Sequence, residues 1–354
     1  MNDMTQDTGS SSRQVTEYLR GIAIAAVVVN HFLNEYVTFF AGGYANGMMS
    51  IFFILSGYGI FFSLSKGLKK YSLAQLMVTF WGRRMVRIYP LFWIYCLLEY
   101  NSQVKLIQLL AWDFFRPARP WFVPAILQCY IVAPFFFLLL NRLGIKRFSI
   151  LLGVGFIVLN LVLFSIGVPN VPAIAYHGYN GMFFSHLLLF GAGLIIAHLA
   201  SAKLKTLSPF RVCVITLLFV FFIHETTPQT TIHFSGSELV LEVLFLLFSI
   251  LCVCSILNSA IYLPCAKIFQ RLGVYSYSIF LFHRYYFRGL EKIGVLEKYD
   301  VSLVGILIGV MLLPVFLAGI AYFEEVVNGL ANRNFNFKTT TQKYYSNIFL
   351  KKVQ

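Results

Sequence analysis

Long apolar runs separated by short polar breaks make up most of this chain. They cover residues 21–40, 47–65, 88–100, 121–140, 148–167, 181–200, 209–223, 238–257, 272–290 and 301–323. A helix that crosses a bilayer needs about 20 predominantly apolar residues. The pattern therefore predicts an all-α, polytopic integral-membrane helical bundle of about ten transmembrane helices. The run 209–223 is short for a span, and Pro209 suits its first turn. Segment 103–115 is apolar but carries Lys105 and Asp113, which fits an interfacial or re-entrant helix better than a span. Residues 1–15 are polar and are expected to be a disordered cytoplasmic N-terminus. Residues 16–325 would form the transmembrane domain and 326–354 a cytoplasmic tail. The first run is read as a retained helix and not a cleaved leader: it starts late, holds Asn30 and His31, and no A-x-A site follows it.

Composition supports this reading and narrows it. Of the 354 residues, 58% are hydrophobic and only 12% are charged, against about 25% charged in an average soluble domain. A soluble enzyme of this size needs a polar skin that this chain cannot supply. The net charge is +14. With the N-terminus inside, 21 of the 28 Lys and Arg residues fall on the cytoplasmic side and seven on the outer side, so the inside nets +16 and the outside −2. That asymmetry is the positive-inside signature. It places both termini in the cytoplasm and explains the basic balance without nucleic acid. The six cysteines form no CxxC pair, and Cys252 and Cys254 would face different sides of a helix. Neither a disulfide framework nor a zinc site is predicted.

Ionisable groups inside spans are costly and mark candidate function. The first helix is the most informative. Arg20 stands at its cytoplasmic mouth and His31 lies eleven residues deeper. At about 100° per residue both fall on one face, separated by about 16 Å along the axis. A low-dielectric site favours neutral imidazole, the form a general base requires. Glu35, one turn further, shares that face and is placed to orient the ring or hold its proton. The alternative is that His31 bonds a neighbouring helix and Glu35 caps the outer end. Arg83, Arg84 and Arg87 precede the third span. They fit an anion clamp, since guanidinium presents a bidentate fork to phosphate, or a plain positive-inside anchor. Ser56-Gly57-Tyr58 interrupts the second span with small and polar groups. Arg116, Arg119 and Trp121 form an outer stretch suited to cradling a sugar, or to an interfacial aromatic belt. Tyr277 precedes His283, which sits beside Arg284 at the outer end of the ninth span.

These segments, taken in order, resemble the membrane-bound acyltransferase 3 family. Arg20 and His31 look like its first-helix signature. Phe52-Phe53-Ile54-Leu55-Ser56-Gly57-Tyr58 is similar to its FF-x-LSG-(F/Y) segment, and Arg83 to Pro90 resembles its RR-x-x-RI-x-P segment. Trp121-Phe122-Val123 with Tyr130 and Pro134 resembles its W-(Y/F)-(L/V)…Y…P helix. Leu272-Gly273 with Ser276 to His283 resembles its LG-x-x-SYS-x-(Y/F)L-x-H helix. Tyr58 and Phe280 replace the commoner Phe and Tyr. The resemblance implies a stand-alone O-acyltransferase of the cell (inner or plasma) membrane, with no metal. It would move an acyl group, often acetyl, from cytoplasmic acyl-CoA to a hydroxyl of an extracytoplasmic carbohydrate. On this reading Arg20, Arg83, Arg84 and Arg87 hold the CoA phosphates, and His31 is the general base. Ser56, Tyr58 and His283 are candidate oxyanion stabilisers, and Arg116, Arg119, Trp121 and Tyr277 meet the acceptor. The competing class is a proton-coupled transporter or glycan flippase, which would be expected to show inverted repeats; none is evident.

Overall fold

The computed structural model describes residues 4–36, 44–100, 105–111, 120–165, 186–199, 266–297 and 302–334. Among them every regular element is a helix. Three segments are long and apolar enough to cross a membrane: Met49–Leu68, Phe122–Leu159 and Leu303–Ala331. The predicted spans 209–223 and 238–257 lie outside the described residues, as do Arg116 and Arg119.

Helix α1 covers Met4–Tyr36, so it begins within the stretch expected to be disordered. Val15, Tyr18 and Leu19 are buried, and Arg13 pairs with Glu17 one turn on at 2.7 Å. Once that turn is docked, adding residues in front of it needs only propagation, not a new nucleus. Helix α2 (Tyr44–Leu68) reproduces the second predicted span. Helix α3 (Leu73–Tyr100) starts well before the predicted span at 88, and the Arg83–Arg87 cluster therefore lies in mid-helix. A local signal explains the earlier start. The Ser72 N–H donates to Gln75 Oε1 at 3.2 Å and the Gln75 N–H to Ser72 Oγ at 3.5 Å, a reciprocal capping box.

Of the predicted interfacial segment, residues 105–111 are described and hold one helical turn, α4 (Leu106–Leu109). The chain leaves it through Ala111 at φ 55°. The carbonyls of Leu109 and Leu110 accept hydrogen bonds from Trp93 Nε1 and the Tyr89 hydroxyl, both at 2.9 Å. Helix α5 (Phe122–Ser165) joins two predicted spans, 121–140 and 148–167. Its two arms meet at Gly144, whose φ of 72° and ψ of 170° break the helical path at little cost only for glycine. Helix α6 is Leu187–Leu199.

The predicted span 272–290 is a broken helix, α7 (Ala266–Val274) followed by α8 (Ser276–Lys292), with Tyr275 at the break. Two consecutive carboxylates hold that break. Ser278 Oγ donates to Glu324 and the Tyr275 hydroxyl to Glu325, each at 2.5 Å. Negative charge there complements the positive end of the α8 dipole. Both carboxylates belong to α9 (Leu303–Asn334), which runs past the predicted end of its span and of the transmembrane domain. Glu324 is only 5% exposed, and its anchoring to α8 carries the helix beyond the apolar run.

Glycines set two close crossings. A Cβ on Gly21 would stand 1.7 Å from the Phe269 carbonyl oxygen, and one on Gly273 would stand 1.7 Å from that of Glu17, so α1 and α7 touch backbone to backbone. Gly57 and Gly193 do the same for α2 and α6. The core between the helices is aromatic and aliphatic, with Phe53, Ile54, Leu55, Leu91, Phe190 and Leu194 all fully buried. The outward side of α9 is apolar and exposed, including Leu303, Leu307, Met311 and Val315, as a lipid-facing helix would be.

Candidate active site

Two adjoining polar centres occupy the bundle. The first is a small cleft of about 80 Å³, partly open to solvent. Arg20 from α1 and Arg84 and Arg87 from α3 line it, opposite Ser56 of α2, Tyr130 of α5, and Ser276 and Tyr277 of α8. The α1–α7 crossing fixes the height of Arg20, and the Ser72 cap starts the helix that brings in the other two.

Arg84 is held over aromatic rings. Its guanidinium carbon is 5.1 Å from the Tyr130 centroid and 5.6 Å from that of Phe80, within reach of a cation–π attraction. The Arg20 guanidinium packs against Gly59, where a Cβ would lie 3.8 Å from Nη2. Nearby carboxylates are engaged elsewhere: Glu17 by Arg13, Glu324 by Ser278 and Asn328. Among the described residues no ion pair neutralises Arg20, Arg84 or Arg87. Three cations lining one cleft without a bound carboxylate form a site for a polyanion. Arg83 is exposed and does not line the cleft. Tyr277 lines it and donates its hydroxyl proton to the Ile88 carbonyl at 3.0 Å, tying α8 to α3.

The second centre is a histidine pair. His31 Nδ1 lies 2.6 Å from His283 Nε2. The ring centroids are 4.9 Å apart and the planes differ by 6°. That centroid separation is close to the N···N distance plus two ring radii, so the rings meet edge to edge in one plane and the hydrogen bond is nearly linear. His283 is 3% exposed, and its other nitrogen, Nδ1, faces the carbonyls of Ile279 and Phe280 at 3.1 and 2.9 Å. The two centres share a wall: Phe280 lines the arginine cleft, and its ring centroid is 6.3 Å from that of His283.

Glu35 forms an ion pair with Arg284 at 3.3 Å. Beyond it, Arg288 makes a two-pronged bond to Glu99 at 2.9 and 3.1 Å, and the Tyr285 hydroxyl donates to the same carboxylate at 2.8 Å. Ser56 reaches the cleft, whereas Tyr58 is buried against Phe62. Trp121 stacks on His186 at 5.5 Å, and His186 stacks on Phe53 at 3.9 Å. Sequence reasoning passed over His186, Tyr130, Ser276 and Glu324 as site residues. Tyr130 stood in a matched motif and was the most findable of them. Glu324 is distinguished only by its burial.

These features define a helical membrane protein with an arginine-lined cleft next to an imidazole pair. The model of the acyltransferase domain family matches residues 16–323, and the chain belongs to that family, the acyltransferase 3 family. It is an acyltransferase. The chain matches no curated protein and no solved structure.

Proposed function

We propose that this protein transfers an acyl group, acetyl in the simplest case, from cytoplasmic acyl-CoA to a hydroxyl of an extracytoplasmic cell-surface carbohydrate. One observation carries the reading: three arginines, none of them in an ion pair among the described residues, line a cleft whose shared wall, Phe280, borders the His31–His283 pair. The 3′-phosphate and pyrophosphate of CoA match Arg20, Arg84 and Arg87 in charge. The pantetheine arm then runs along the Arg20–His31 face of α1, a rise of about 16 Å for eleven residues.

At the far end His31 takes the proton of the acceptor hydroxyl as its oxygen attacks the thioester carbonyl. The new C–O bond forms, the C–S bond breaks, and the CoA thiolate leaves and takes back the proton. Direct transfer requires no covalent enzyme intermediate, and among the described residues both cysteines, Cys96 and Cys129, are buried, where a thiol stays inert. Trp121 offers its indole face to a sugar ring, and the apolar walls limit hydrolysis of the thioester.

The test is transfer itself. Purified protein in liposomes, given labelled acetyl-CoA on one side and envelope glycans on the other, should label the glycan. Glycan flux without acylation would overturn the proposal in favour of a transporter.

A further inference from the structure

We propose that His283 is a positioning residue that locks the tautomer of His31, so that His31 Nε2 is the atom that accepts the acceptor's proton. The inference rests on the acyl-transfer reading above and adds which nitrogen acts and what selects it.

A chain of donors and acceptors selects the tautomer. A backbone carbonyl only accepts. His283 Nδ1 faces two carbonyls, Ile279 and Phe280, within 3.1 Å, so Nδ1 carries the hydrogen. In the neutral ring Nε2 then holds a lone pair and is an acceptor. Its partner at 2.6 Å is His31 Nδ1, which must donate. His31 therefore carries its hydrogen on Nδ1 and its lone pair on Nε2. Both carbonyls lie in the same helix as His283, three and four residues back, so the orientation is set by α8 itself. The near-coplanar rings keep the hydrogen bond on the lone-pair axis.

During transfer the acceptor O–H proton moves to His31 Nε2 while the oxygen bonds to the acyl carbon. The imidazolium so formed still donates Nδ1–H to His283 Nε2. When the C–S bond breaks, the CoA thiolate takes the Nε2 proton, and both rings return to their starting tautomers. His283 touches no reacting atom. It plays the orienting part that a carboxylate plays beside a catalytic histidine elsewhere, without adding a negative charge.

Two variants test this in the full-length protein in nanodiscs. His283→Met keeps bulk but removes the acceptor. His283→Gln places an amide oxygen where Nε2 was. The expected result is a kcat fall on the order of 100-fold for His283→Met, with the KM for acetyl-CoA changed by less than about twofold. His283→Gln should recover most of the loss. Nitrogen NMR of histidine-labelled protein, assigned with a His31→Gln control, should show wild-type His31 protonated at Nδ1 and bare at Nε2. The His283→Met variant should shift it toward the opposite tautomer. A wild-type His31 protonated at Nε2, an unchanged kcat in His283→Met, or a His283→Gln variant as impaired as a folded His283→Met would each overturn the proposal. The tautomer reading needs no turnover. A protein with the expected tautomer and no acyl transfer would therefore refute the function while leaving the histidine lock intact.

Discussion

Replacing Gly273 by alanine tests whether the α1–α7 crossing places the active-site residues. The added methyl would stand 1.7 Å from the Glu17 carbonyl oxygen and 3.0 Å from the Gly21 nitrogen. Ordinary van der Waals contact begins at 3.4 Å, twice the separation to that oxygen. Both obstructing atoms are helix backbone and cannot rotate aside, so the two helices must part by more than an ångström. Overpacking of this kind typically costs about 1–3 kcal/mol. The displacement also carries Arg20 away from the α3 arginines and opens the 2.6 Å His31–His283 contact, and a misplacement of about 1 Å can cost on the order of 100-fold in rate. The expected Gly273→Ala protein is less heat-stable, and its kcat is reduced by roughly that factor. The matched control is Gly289→Ala, on α8, where nothing lies within 4 Å. There alanine should be neutral, or stabilising by about 0.5–1 kcal/mol. Thermal unfolding in nanodiscs and a glycan-labelling assay read both. A Gly273→Ala variant as stable and active as Gly289→Ala would refute the argument.

Other perturbations separate the parts of the site. His31→Ala should abolish transfer while the protein still inserts and folds, with stability lowered by about 1–3 kcal/mol because buried His283 Nε2 loses its partner; residual activity at wild-type level would remove His31 from the reaction. Arg87→Ala should raise the KM for acetyl-CoA by about 10–100-fold, the worth of one charge-assisted hydrogen bond to phosphate, and leave kcat nearly unchanged; an unaltered KM would count against the clamp. Glu324→Ala removes the acceptor of the Ser278 hydroxyl and loosens the start of α8, so it should lower stability by about 1–3 kcal/mol. Glu324→Gln, which keeps an acceptor oxygen, should cost less; equal losses would show that the charge and not the hydrogen bond matters.

The parts of this fold that could be read from sequence are those decided locally. α2 is predominantly apolar, and its predicted span 47–65 falls inside Tyr44–Leu68. The start of α3 had a local signal too, Ser72 with Gln75, but the basic run behind it read as a helix boundary. The break at Tyr275 has no such signal, because the residues that hold it are Glu324 and Glu325, some fifty positions away on α9. Helical periodicity put Arg20 and His31 on one face, yet the partner of His31 lies 252 residues further along the chain. Periodicity within one element cannot show that pairing. Gly273 stood in a recognisable motif, but only the crossing with α1 explains why a larger residue fails there.

Arg20 and His31 sit on one uninterrupted helix, so in the function proposed above the gap between anion anchor and base is set by the helical rise per residue and not by loop packing. Such a rod acts as a ruler for the carrier. Every donor built on the same carrier presents its thioester carbonyl at the same height, whatever acyl chain follows. In that function, choice among acyl groups would fall to the rings between the cleft and the histidine pair, Phe280 and the Phe122 ring packed on it. Changing acyl length would mean recarving those aromatics while leaving α1 alone.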